Sequence, residues 1–174
     1  MSHFRPDFAC RSVTEIEPGW LRSLGIEGLL IDIDNTLTRW ESAHIPPEVR
    51  EWLESLRREG LSIYFLSNGR GPKRRRVEQQ TGVRCVTGGV KPLPSFFRAG
   101  LRHLNLPPEK VAMIGDMVFT DIWVANRLGM TTILVDPISR IDFPVSKLFR
   151  LMEWAFRWRR PKNRLTPPPS GQGG

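Results

Sequence analysis

The chain has 174 residues, 40% hydrophobic and 25% charged, a composition ordinary for one soluble globular domain with its own core. No apolar run is long enough to span a bilayer, the opening MSHFRPDFACRSV lacks the apolar centre of a secretory signal, and Cys10 and Cys85 are too few and too separated for a disulfide framework or zinc site, so a cytoplasmic protein with reduced thiols is expected. The net charge of +8 is concentrated: residues 138–164 carry eight basic side chains against Asp142 and Glu153, a net +6 that leaves +2 for the rest and points to an anionic partner, a membrane surface or a nucleic acid.

In chain order, residues 29–33 (LLIDI) read as a buried strand running into an acidic loop. A helix is expected over 46–59, opened by two prolines, carrying Val49, Trp52, Leu53 and Leu56 at helical spacing and stopped by Gly60. SIYFL at 62–66 is a second strand ended by Ser67-Asn68-Gly69, and a polar helix follows over about 73–80. Residues 83–86 suggest a short third strand, and 94–104 a helix with Phe96, Phe97, Leu101 and Leu104 on one face. VAMIG at 111–115 and TTILV at 131–135 are further strands, separated by a helix over 119–128 that Gly129 ends. Strands alternating with helices imply an α/β fold in three layers, with a central parallel five-stranded sheet covered on both faces. Residues 1–25 are expected to pack on that core, which spans 26–138. Residues 139–160 form a basic amphipathic segment, and the Pro/Gly-rich 161–174 a disordered tail.

Ligands in such sheets bind at the carboxyl ends of the strands, and that is where the reactive residue types fall. The first strand ends in Asp32-Ile33-Asp34-Asn35-Thr36. Two carboxylates two residues apart supply a nucleophile for phosphorus and a group to protonate the departing oxygen. Ser67 and the N–H groups of the turn that begins at Asn68 suit phosphate oxygens. Lys91, just before a helix, can neutralise charge that builds in the transition state. Asp116 closes the fourth strand and suits magnesium together with Asp32, while Asp121 suits an outer position behind the metal. Each residue also has an ordinary structural explanation: acidic loop, turn serine, surface lysine, helix cap. Their succession at strand ends or just before a helix argues for a single site.

These residues resemble the four motifs of the haloacid dehalogenase (HAD) superfamily, over roughly residues 26–137. The resemblance implies a Rossmann-like HAD-type sandwich and a phosphatase of the phosphoric monoester hydrolase class. It implies Mg2+, Asp32 as the phosphorylated nucleophile and Asp34 as acid–base group, with Asp34 also lending its backbone carbonyl to the metal. Ser67, Asn68 and Lys91 would bind phosphate. Neither the interval 34–67 nor 67–91 has room for a cap domain, which fits the capless third subclass. GWLRSLGIEGLLIDIDNTLTRW and GDMVFTDIWVANRLGMTTILVDPI are similar to the YqeG-type branch, itself similar to phosphatidylglycerophosphate phosphatases.

An open site leaves specificity to other parts of the chain. Within 145–160, Val145, Leu148, Phe149, Met152, Ala155 and Phe156 share a helical face, with Lys147, Arg150 and Arg157 on another side and Trp154 and Trp158 beside them. Such a helix suits either an anionic membrane, at its inner face, or simple packing on the domain. The expected partner is a phosphorylated substrate, an anionic phospholipid among the options. The alternatives are another phosphomonoester, or a non-catalytic basic module for nucleic acid, although no interleaved stacking aromatics point to specific nucleic-acid binding. His3, His44 and His103 lie outside the motifs and are expected at the surface.

Overall fold

The computed structural model describes residues 3–69 and 71–139. The expected 145–160 helix and the 161–174 tail lie outside the described residues. Among the described residues the strands are β1 (Phe8–Cys10), β2 (Gly28–Ile31), β3 (Ser62–Phe65), β4 (Val111–Gly115) and β5 (Thr131–Val135). They form one all-parallel sheet in the order β1-β5-β4-β2-β3. The helices are α1 (Pro18–Ser23), α2 (Pro47–Arg58), α3 (Gly71–Thr81), α4 (Pro94–Leu104) and α5 (Trp123–Leu128).

Strands covered on both faces need apolar side chains at consecutive positions, and every residue of β2 and β4 is buried. The period-two alternation then sorts them into two layers. Leu29, Ile31, Ala112 and Ile114 pack with Leu21 of α1, Val49, Trp52, Leu53 and Leu56 of α2, and Val77 of α3. Leu30, Val111 and Met113 pack on the opposite side with Phe96, Phe97, Leu101 and Leu104 of α4 and Val124 and Ala125 of α5. Gly100 lets α4 approach closely, because a Cβ there would lie 2.8 Å from Leu30.

The fifth strand is not the expected one. Residues 83–86 are reduced to a single bridge, Cys85 opposite Phe65, lying between Gly82 and Gly88 with positive φ that confine the extended stretch. The edge strand comes instead from Phe8–Cys10, paired with β5. Residues 119–128 also divide: a wide π-type turn at Val118–Ile122 precedes α5.

Chain direction through the sheet places the site. From β2 the chain moves outward to β3, then crosses back to β4 on the other side of β2. The crevice at such a switch point opens at the carboxyl ends of β2 and β4. Among the described residues, 34–67 adds only α2 and β3, and 67–91 only α3 and the Cys85 bridge, so no cap domain intervenes.

Candidate active site

The loop after β2 is built by its own side chains. The Asp32 N–H donates to Ile114 O at 2.9 Å, continuing the β2–β4 ladder to the last position before the loop. Asn35 then takes a left-handed conformation (φ 60°), which asparagine tolerates better than most residues. Its N–H closes the loop on Thr38 O at 2.8 Å. Thr36 turns back so that its hydroxyl donates to Asp32 Oδ2 at 3.2 Å. Asp34 points to the end of β3, where the Ser67 hydroxyl donates to its Oδ2 at 3.1 Å. Gly69 N–H donates to Ser67 Oγ at 2.9 Å, tying the serine into its own turn.

Asn68 holds Lys91 by its backbone: the Lys91 N–H donates to Asn68 Oδ1 at 2.6 Å, and Asn68 Nδ2 donates to Lys91 O at 3.1 Å. The lysine side chain is thereby aimed inward. Its ammonium bonds Asp32 Oδ1 and, at 2.8 Å, Asp121 Oδ1. The other Asp121 oxygen accepts the Met117 N–H at 3.2 Å. Gly115 makes room for this carboxylate, since a Cβ there would lie 2.5 Å from Asp121 Cγ. The wide turn at 118–122 carries Asp121 back under the end of β4, and such π-type turns recur at functional sites.

Asp32, Asp116 and Asp121 are all buried, and each offers an oxygen within 4.8 Å of the others. Burial pushes the Asp32 carboxyl well above its ordinary range; Lys91 opposes the rise, and Asp121, Asp116 and Asp34 add to it. Burial alone would pull the Lys91 ammonium down, but Asp121 and Asp32 outweigh it and hold it above the usual lysine range. When ionised, the three carboxylates exceed the single ammonium by two negative charges. An oxygen-only cluster with an excess of two negative charges fits a hard divalent cation such as magnesium.

The structure therefore brings Asp32, Asp34, Ser67, Asn68, Lys91, Asp116 and Asp121 to one end of the sheet. It uses the Asn68 side chain to hold Lys91. It also puts Asp121 in the same buried carboxylate cluster as Asp32 and Asp116. Two further contributors were not singled out from the sequence. Thr36 donates to Asp32, and the Lys73 ammonium bonds Asp34 Oδ1. Lys73 heads the run Lys73-Arg74-Arg75-Arg76, and four cations in a row hide which one faces the site. The register of α3 decides it. His3, His44 and His103 are exposed, as expected. Cys10 and Cys85 are free thiols, each pushed up to about 12, by burial first and by Glu15 and Glu78 respectively.

A solved structure of similar fold is the putative HAD-hydrolase YfnB from Bacillus subtilis, bound to magnesium. It aligns with a TM-score of 0.52 at 13% identity, over 73% of this chain and 98% of that one. The chain is 29% identical to the probable phosphatase YqeG of Bacillus subtilis, over 86% of this chain and 87% of that protein. It is 30% identical to phosphatidylglycerophosphate phosphatase 1 of Arabidopsis thaliana, over 89% of this chain, and spans 48% of that longer protein. The family model for haloacid dehalogenase-like hydrolases matches residues 21–129. The chain belongs to the haloacid dehalogenase-like hydrolase family.

Proposed function

We propose that this phosphatase hydrolyses phosphate monoesters through a covalent phosphate on Asp32, with Asp34 as its acid–base group and magnesium as its cofactor. The observation that carries the reading is the meeting of Asp32, Lys91, Asp116 and Asp121 in one buried cluster, with Asp34 and Ser67 at its edge. An Asp32 oxygen bonds to phosphorus as the ester P–O bond breaks, and Asp34 gives its proton to the departing oxygen. Asp34 then takes a proton from water, whose oxygen displaces Asp32 from phosphorus and frees phosphate. Ser67, Lys91 and the main-chain N–H of Asn68 hold the phosphate oxygens. Asp32, Asp116 and the Asp34 carbonyl would hold magnesium, with Asp121 fixing their arrangement. When bound, the ion neutralises the clustered carboxylates and the phosphate, favouring ionised Asp32 and a polarised P–O bond.

For the substrate we propose a phospholipid head-group phosphate of the phosphatidylglycerophosphate class. The likeness to the Arabidopsis phosphatase, the absence of a cap among the described residues and the net +6 of residues 138–164 all support it. In this reading residues 26–138 carry the catalytic residues, 1–25 complete the sheet through β1, and 145–160 rest on an anionic membrane at its cytoplasmic face. Among the described residues no helix is long and apolar enough to cross a membrane. The test is phosphate release from lipid, sugar and nucleotide monoesters, with magnesium or with EDTA, for wild type and Asp32→Asn. Turnover that needs magnesium and vanishes in Asp32→Asn is expected, highest on the lipid in anionic vesicles. Activity retained by Asp32→Asn would overturn the nucleophile, and preference for a soluble ester would overturn the substrate.

A further inference from the structure

Lys73 is the third residue of α3, yet its side chain does not project into solvent as a helix lysine ordinarily does. Its ammonium reaches back to the loop after β2 and bonds Asp34 Oδ1, Trp40 O at 2.8 Å and Arg39 O at 3.2 Å. An ammonium has three N–H bonds, and here each has an acceptor in one short segment. The other Asp34 oxygen, Oδ2, takes the Ser67 hydroxyl at 3.1 Å. The Asp34 carboxyl is thus gripped at both oxygens, from the end of β3 and from α3, while the chain just beyond it is gripped by the same nitrogen. A partly exposed ion pair, 18% and 23% accessible, contributes little to folding. What the Lys73 contacts accomplish is to tie that carboxyl to the chain just beyond it and so restrict its orientation, with or without the Ser67 bond.

We propose that Lys73 is a positioning residue for proton transfer, holding Asp34 where its proton meets the departing oxygen. This rests on the reading of Asp34 as the acid. In the step concerned, an Asp32 oxygen bonds to phosphorus. The electron pair of the breaking ester bond passes to the leaving oxygen, which takes the Asp34 proton. A leaving group that is stable as an anion needs that proton little, and one that is a strong base needs it greatly. The signature of a mispositioned acid is therefore selective: reaction slows most where the leaving group is most basic.

The test is kcat/KM for p-nitrophenyl and phenyl phosphate with full-length protein and magnesium, comparing wild type, Asp34→Asn, Lys73→Met, Lys73→Gln and Lys73→Arg. The phenyl ester has the more basic leaving group. Lys73→Met should lose about tenfold to a hundredfold more on phenyl than on p-nitrophenyl phosphate. KM should change little, and the pattern should match Asp34→Asn in direction. Lys73→Arg should restore most of the phenyl activity. Equal losses on both esters, or a loss confined to KM, would overturn the proposal. Should Lys73→Met melt below assay temperature, Lys73→Gln keeps two donors and carries the same comparison. If wild type and Asp32→Asn release phosphate alike, the phosphatase mechanism itself falls. If only Asp32→Asn is inactive and Lys73→Met keeps the wild-type ratio of the two esters, only the role of Lys73 falls.

Discussion

Lys91 and Asp121 share a buried hydrogen bond of 2.8 Å, although one precedes α4 and the other follows β4. The same ammonium bonds Asp32, and all three side chains are 5% exposed or less. Lys91→Met leaves two buried carboxylates without their cation, a loss of about 3–5 kcal/mol when one partner of a buried pair is removed. Urea unfolding in EDTA should show a fall of that size, partly recovered by magnesium. A fall below about 1 kcal/mol would contradict this coupling.

Asp32→Asn should separate stability from activity. Burial raises the Asp32 carboxyl in the folded chain, so the folded state keeps a proton that the unfolded chain releases. Its stabilising contribution is complete below the ordinary aspartate range, about pH 4, and is lost as pH rises through the higher folded value. The variant has no such dependence. In EDTA, Tm of Asp32→Asn minus that of wild type should widen as pH rises from about 5 to about 8. A difference independent of pH would count against the raised carboxyl.

Magnesium should stabilise the folded chain without any substrate, because the carboxylate cluster exists only when the chain is folded. At a hundredfold excess over Kd the gain is about 2.7 kcal/mol. Thermal melts of wild type should rise with magnesium, and those of Asp116→Asn should rise far less. Identical responses would remove Asp116 from the metal site.

Gly115→Ala introduces a methyl group 2.5 Å from the Asp121 carboxyl carbon. Overpacking of this kind costs about 1–3 kcal/mol, and displacing a group that supports metal ligands weakens ion affinity by about tenfold or more. The melt and its magnesium response should both fall. Gly19→Ala meets no atom within 4 Å and should leave both unchanged.

Much of this architecture was visible in the residue pattern, for identifiable reasons. β2 and β4 are apolar at every position because both faces are covered, and such runs stand out. Asp32 and Asp116 follow strands directly and Ser67 comes one residue after its strand, so locating the strands located them. Phe8–Cys10 escaped because a three-residue edge strand has no period to read and is specified by its partner β5. Residues 83–86 have the composition of a strand but are cut short between Gly82 and Gly88. Lys73 escaped because its role depends on the rotation of α3 relative to the loop at 39–40, a tertiary relationship that charge alone does not carry.

Asn35 does more than turn the loop after β2. Its carbonyl accepts the Ile138 N–H at 3.0 Å, and its side-chain oxygen accepts the Ser139 hydroxyl at 3.0 Å. Ile138 and Ser139 are therefore both bonded to the residue that directly follows Asp34, in the loop after β2. A shift of Ile138 and Ser139 therefore bears directly on the turn that follows Asp34.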